Sequence, residues 1–64
     1  MEIEIIRENS WGKEADMLAF IPDATVAQVV AYSNSDLINI DGERVEVIRS
    51  VMEHGKDKIK IYVM

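Results

Sequence analysis

His54 is the one histidine in the chain, and it sits between Glu53 and a turn glycine, Gly55. A zinc site needs three or four His, Cys or carboxylate ligands. With no cysteine and no second histidine, His54 reads as a solvated turn residue, and no metal is expected. Asn39, Asp41 and Gly42 echo the middle of a calcium loop. A loop placed on them would begin at Leu37 and end at Ile48, and neither residue supplies a carboxylate. The glycines at 12, 42 and 55 are too scattered to cradle a phosphate. Ser10, Ser33, Ser35 and Ser50 have no base to activate them except a distant His54, so nucleophilic catalysis has little to build on. No catalytic residue, metal or cofactor is assigned, and the chain is expected not to be an enzyme.

Binding is the remaining class. Trp11 lies in a turn by composition, Asn9-Ser10-Trp11-Gly12. It either folds back over the core edge or stands out as an anchor. The first is expected, since a small domain needs the buried area; the second would make it a hot spot. Ile6, Val51 and Tyr62 are expected on the outer face of a sheet. With Arg49 and Lys60 they would form an amphipathic patch able to dock a protein partner. The bland alternative is ordinary scattered surface.

Length and charge bound these readings. Sixty-four residues make a single domain, 1–64. Such a chain buries only about 60% of the surface its unfolded form exposes, and without cysteine it has no disulfide. Self-association is the common remaining source of stability. The net charge of −5 disfavours binding nucleic acid through its phosphates. The longest apolar run, Met17 to Ile21, is far short of the about 20 residues a membrane-spanning helix needs. An acidic start, Met1-Glu2-Ile3-Glu4, does not resemble a signal peptide. The absence of cysteine fits a reducing cytoplasm.

The elements that must position these residues follow from periodicity. Residues 2–8 alternate as a half-buried strand, with Ile3 and Ile5 on one face and Glu2, Glu4 and Ile6 on the other. A second strand over 15–21 places Ala15, Met17, Ala19 and Ile21 on one face, and Pro22 ends it. Residues 24–33 predict a helix capped by Asp23 and packed through Val26, Val29 and Val30. The same valines with Tyr32 would also suit a strand, which would give an all-β small barrel. Asp41-Gly42 between Leu37–Ile40 and Glu43–Ile48 predicts a type I′ hairpin, because both turn positions need φ > 0. In the last strand Ile59, Ile61 and Val63 face the core, and Lys58, Lys60 and Tyr62 face out. Glu2 and Glu4 would complement Lys58 and Lys60 if the first and last strands were neighbours, and a parallel pair is expected. A type II′ turn at Gly55-Lys56 would set Met52 against Ile59, Ser50 against Ile61 and Ile48 against Val63. The Asp41-Gly42 hairpin puts odd residues of the same strand on the core face, whereas the second hairpin needs even ones. One straight strand cannot satisfy both. A bulge near Val47-Ile48 or a departure from the sheet is required.

The expected fold class is α+β, a mixed sheet with one helix on one face. Its strand, strand, helix, strand, short strand, strand order resembles the β-grasp, or ubiquitin-like, fold. Within that fold the chain is similar to the small sulfur-carrier proteins of thiamine and molybdopterin synthesis. The similar stretches are Glu2–Gly12, the helix start Ala24-Thr25-Val26-Ala27-Gln28-Val29-Val30, the turn Ile40-Asp41-Gly42-Glu43, and Met52 to Ile61 with its glycine-led entry into the last strand. That family acts through a C-terminal Gly-Gly, whereas no glycine follows Gly55 here. The resemblance therefore implies the fold and leaves the carrier chemistry without its tail. The expected function is a non-enzymatic protein-interaction module that self-associates. A degenerate or truncated sulfur carrier, or an acidic inhibitor protein of a phage or mobile element, are the alternatives.

Overall fold

The computed structural model describes residues 1–9 and 11–64; Ser10, expected in the first turn, lies outside the described residues. In chain order it contains β1 (Glu2–Glu8), β2 (Glu14–Ile21), α1 (Val26–Asn34), β3 (Leu37–Ile40), β4 (Glu43–Glu53) and β5 (Lys58–Val63). The strands form one mixed sheet in the order β2-β1-β5-β4-β3. The fold is α+β, and the helix at Val26–Asn34 removes the all-β barrel. The short strand is β3, before the long β4, rather than the one just before the last.

β1 and β5 run parallel at the centre of the sheet, with Ile3 beside Ile59 and Ile5 beside Ile61. These four residues are buried with Val63, Val45, Ile38 and Ala24 in one cluster. Glycine and aspartate set the hairpins. Asp41 and Gly42 have φ of 50° and 84°, the left-handed pair a type I′ turn requires, and Ile38 faces Val45 as that turn dictates. The second connection is a four-residue loop, His54 to Asp57, rather than a two-residue turn. Gly55 and Asp57 are both left-handed within it, at 80° and 49°. The pairing of Glu53 with Lys58, Met52 with Ile59 and Ser50 with Ile61 is unchanged.

The parity conflict in β4 is resolved by a bulge at Ile48. Val47 pairs with Val63 and the next paired residue is Arg49, opposite Tyr62. Val47, not Ile48, therefore faces Val63. The extra residue lets odd positions face the core before Ile48 and even ones after it. A second bulge, in β2, moves Met17 off its expected face, while Ala19 and Ile21 keep theirs. Ile5 pairs with Ala19 but Ile6 pairs with Met17, so Leu18 is the added residue. Ala19, Ile21 and Leu18 pack on the core, while Met17 is exposed. A further shift between Arg7 and Glu8 leaves Ala15 unpaired and exposed.

The helix cap also differs from expectation. Thr25, not Asp23, is the N-cap. Gln28 N–H donates to Thr25 Oγ1 at 3.1 Å and Thr25 N–H donates to Gln28 Oε1 at 2.9 Å, a complete capping box. Ala24 N–H donates to the Met1 carbonyl at 2.8 Å, which anchors the helix start to the beginning of β1. The inward stripe is Val29 and Tyr32. Val26 and Val30 flank it, 82% and 53% exposed: the tyrosine supplies the contact assigned to them from valine spacing.

Two substitutions measure this arrangement by chemical denaturation. Ile61→Val, at a fully buried position, is expected to cost about 0.5–1.5 kcal/mol. Val30→Asp, which the valine spacing alone would make disruptive, is expected to stay within roughly 0.5 kcal/mol of the parent.

Candidate interaction surface

The sheet face opposite the helix begins with a row across three strands: Ile6 on β1, Tyr62 on β5 and Arg49 on β4. Ile6 is 4% exposed and Tyr62 8%, yet neither belongs to the cluster under the helix. They form a second, smaller apolar layer roofed by charged side chains. The Arg49 guanidinium carbon stands 4.5 Å from the centroid of the Tyr62 ring, a cation–π contact. Its Nη2 also pairs with Glu8, whose side chain is largely buried. The Tyr62 hydroxyl donates to Glu14 Oε2 at 2.8 Å, tying β5 to the far end of β2.

Lysines complete the roof. Lys60 Nζ lies 3.5 Å from Glu14 Oε2 and 3.3 Å from Glu53 Oε1. Lys58 Nζ lies 3.2 Å from Glu4 Oε2 and 3.9 Å from Glu2 Oε2. The anticipated Glu/Lys complement between the first and last strands is present at Lys58, whereas Lys60 turns to acids of β2 and β4. Val51, opposite Lys60, stands exposed beside this network. The structure thus brings Ile6, Arg49, Val51, Lys60 and Tyr62 onto one face. It also encloses two of them, so a partner on this face would meet the charged roof and Val51. Met17 and Phe20, opposite Ile6 and Glu4 and both exposed, join the same face. Alternation assigned Met17 to the core because the Leu18 bulge reverses the facing of β2 on its N-terminal side; Phe20 keeps the outward parity that alternation gives it.

The electrostatics fix protonation states. Glu14 is held below the usual carboxylate value of 4.5, chiefly by the hydrogen bond from Tyr62 and secondarily by Lys60. Burial pushes the Tyr62 phenol above 10.0, and its bond to Glu14 adds to this. Lys60 is raised above 10.5, first by its hydrogen bond to Glu53. Each shift moves its group away from neutrality, opposite to the tuning of a general acid or base for work near pH 7. The cluster is suited to holding shape and charge.

Trp11 stands apart from this face, at the β1–β2 turn, and is 84% exposed. It does not fold over the core edge. The reason is local: Asn9 Oδ1 accepts from the backbone N–H groups of Trp11 and Lys13 at 2.9 and 3.1 Å. Asn9 N–H donates to the Lys13 carbonyl at 2.9 Å, and Gly12 N–H to the Asn9 carbonyl at 3.0 Å. Gly12 takes φ 73°, a conformation that favours glycine. These bonds tie the backbone N–H groups of Trp11 and Lys13 to Asn9. Beside the turn lies a cleft of 490 Å³ lined by Glu8, Asn9, Gly12, Ile48 and Met64. Ile48 reaches it because it is the bulged residue, which is why strand parity alone could not assign it there.

His54 is an exposed loop residue. Among the described residues no group of three or more His, Cys, Asp or Glu side chains is placed to hold a metal ion, and no helix is long and apolar enough to cross a membrane. No protein-family model matches the chain, and neither the curated proteins nor the solved structures contain a significant match to it.

The Tyr62–Glu14 bond gives a pH signature. A carboxyl held below its unfolded value stabilises the fold above that value, near 4.5, and the contribution is lost as pH falls through the folded-state value. Tyr62→Phe removes the donor. The Glu14 carboxyl, followed by NMR titration, is expected to move up toward 4.5, and the acid limb of the stability curve to flatten. At the alkaline end the raised phenol stabilises the parent below pH 10.0 and loses that contribution as pH rises through its folded-state value. Tyr62→Phe is expected to lack this loss.

Proposed function

We propose that this chain is a non-enzymatic protein-interaction module on a β-grasp-like scaffold, and that it self-associates. The observation that carries the reading is Trp11, 84% exposed on a turn held by the Asn9 side chain. A large aromatic on a fixed backbone loses little entropy on docking and is the commonest type of hot spot. Supporting it, ten large apolar side chains are exposed among the described residues, in a chain whose size gives it a limited core.

Five acids of the outward face lie within ion-pair distance of a cation. Glu2 and Glu4 face Lys58, Glu8 faces Arg49, and Glu14 and Glu53 face Lys60. Three cations thus interleave with five carboxylates, which is not the bare row of acids that a nucleic-acid mimic needs. The parallel β1–β5 pair with a hairpin on either side supports the β-grasp-like reading of the scaffold.

Sedimentation velocity over the micromolar range tests the function. A concentration-dependent shift from monomer to dimer is expected. A clean monomer up to the highest soluble concentration would remove self-association from the reading.

A further inference from the structure

We propose that two copies of this chain dock by reciprocal exchange of Trp11, each indole seated in the other copy's cleft against Ile48 and Met64. This rests on the self-association proposed above and names its surface. Knob and cleft share one end of the molecule: Gly12 lines the cleft and is the chain neighbour of Trp11. A two-fold axis through that end brings both indoles to both clefts at once, the isologous condition of a symmetric dimer. A foreign partner would use only half of this pairing.

The cleft fits the indole in size and chemistry. Its 490 Å³ lies within the roughly 300–1,000 Å³ range of sites that hold small organic ligands. Ile48 and Met64, 43% and 67% exposed, offer apolar walls. An indole carries one N–H donor and no acceptor, and the lining Glu8 carboxylate is an acceptor. Its Oε1 takes Arg49.

Charge also pairs across the axis. The turn carrying Trp11 carries Lys13, and no ion pair involves Lys13 among the described residues. On the cleft side, Glu46 is likewise without an ion pair, and its carbonyl accepts from Met64 N–H at 3.0 Å. The knob brings a cation toward a cleft whose lining includes the acid Glu8, which helps orient two chains that otherwise repel through a net charge of −5 each. Each buried Trp contributes about 150–250 Å². Two indoles and the cleft walls they cover come to about 600–1,000 Å², below the roughly 1,200 Å² of standard interfaces, so a weak, reversible dimer is expected.

Trp11 is the sole tryptophan, so its fluorescence reads the exchange directly. In a dilution series the emission is expected to move to shorter wavelength as the dimer forms, with the same midpoint as sedimentation velocity gives. Trp11→Ala, which removes two anchors per dimer, is expected to raise Kd about thirtyfold or more. Ile48→Asp should act likewise with its far-ultraviolet circular dichroism unchanged; should it fail to fold, Met64→Asp tests the same wall. Val30→Asp, on the exposed flank of the helix, should leave Kd within about twofold. A dimer whose emission stays that of an exposed indole, or that tolerates Trp11→Ala, overturns the exchange and leaves self-association standing. A dimer broken by Val51→Asp instead overturns it and places the interface on the outward face. A monomer at every concentration removes both proposals.

Discussion

The side-chain period of two is the constraint on which the structure turns. β4 must serve β3 on one edge and β5 on the other, and the two turns that fix its registers demand opposite parities. One added residue, Ile48, reconciles them. Val45 and Val47 then face the same core as Ile59, Ile61 and Val63, while Arg49 falls outward against Tyr62. Had β4 continued straight, Arg49 would have been directed toward the core and could not have covered the tyrosine. The bulge thus connects the choice of core residues to the composition of the opposite face. It also puts Ile48 in the open, at the cleft beside the first turn.

The outward layer shows how a short chain buries apolar surface on both sides of its central strands. Ile6 and Tyr62 are shielded by side chains that are themselves polar: Arg49 lays its guanidinium over the ring, and the phenol reaches Glu14. Exposed ion pairs contribute little singly, with a median of about 0–1 kcal/mol. Their value here lies in geometry. The aliphatic stems of Arg49 and the lysines exclude water from beneath them while their heads stay solvated. Tyr62 sits where these contacts meet, bonded to β2, stacked under β4 and paired with β1.

Much of the sheet was legible because its signals are local and redundant. Asp41-Gly42 names its own turn type, β5 alternates without a break, and Glu2 and Glu4 complement Lys58 in a way that only neighbouring strands can use. The conflict between two registers called for either a bulge near Val47-Ile48 or a departure from the sheet, and the structure has the bulge. The β2 bulge raised no such conflict. Met17 to Ile21 is apolar throughout, so a one-residue shift leaves the pattern looking the same while it moves Met17 outward and Leu18 inward. The capping box was visible as Thr25-x-x-Gln28 but was passed over for Asp23, two positions earlier. Trp11 departs from core-edge packing because Asn9 Oδ1 binds the backbone N–H groups of Trp11 and Lys13, a local contact that the area argument does not contain. Of the candidate surface, the sequence identified five residues that do share a face; their enclosure beneath paired charges depends on contacts between strands far apart in the chain.

The helix is joined to the sheet more lightly than the strands are to one another. No residue of α1 is fully buried; it rests on Val29 and Tyr32, on the Thr25–Gln28 box and on the bond from Ala24 to Met1. An element with few buried apolar contacts opens at lower free energy than the strands it covers. The central sheet, buried on both faces at β1 and β5, therefore carries the stability of the domain, and the helix acts as a partial cover. Trp11 follows β1, the strand that pairs with β5 at the centre of the sheet, whereas Val26 and Val30 ride on the most lightly joined element. That difference, more than exposed area, separates Trp11 from the other exposed apolar residues as a basis for specific association.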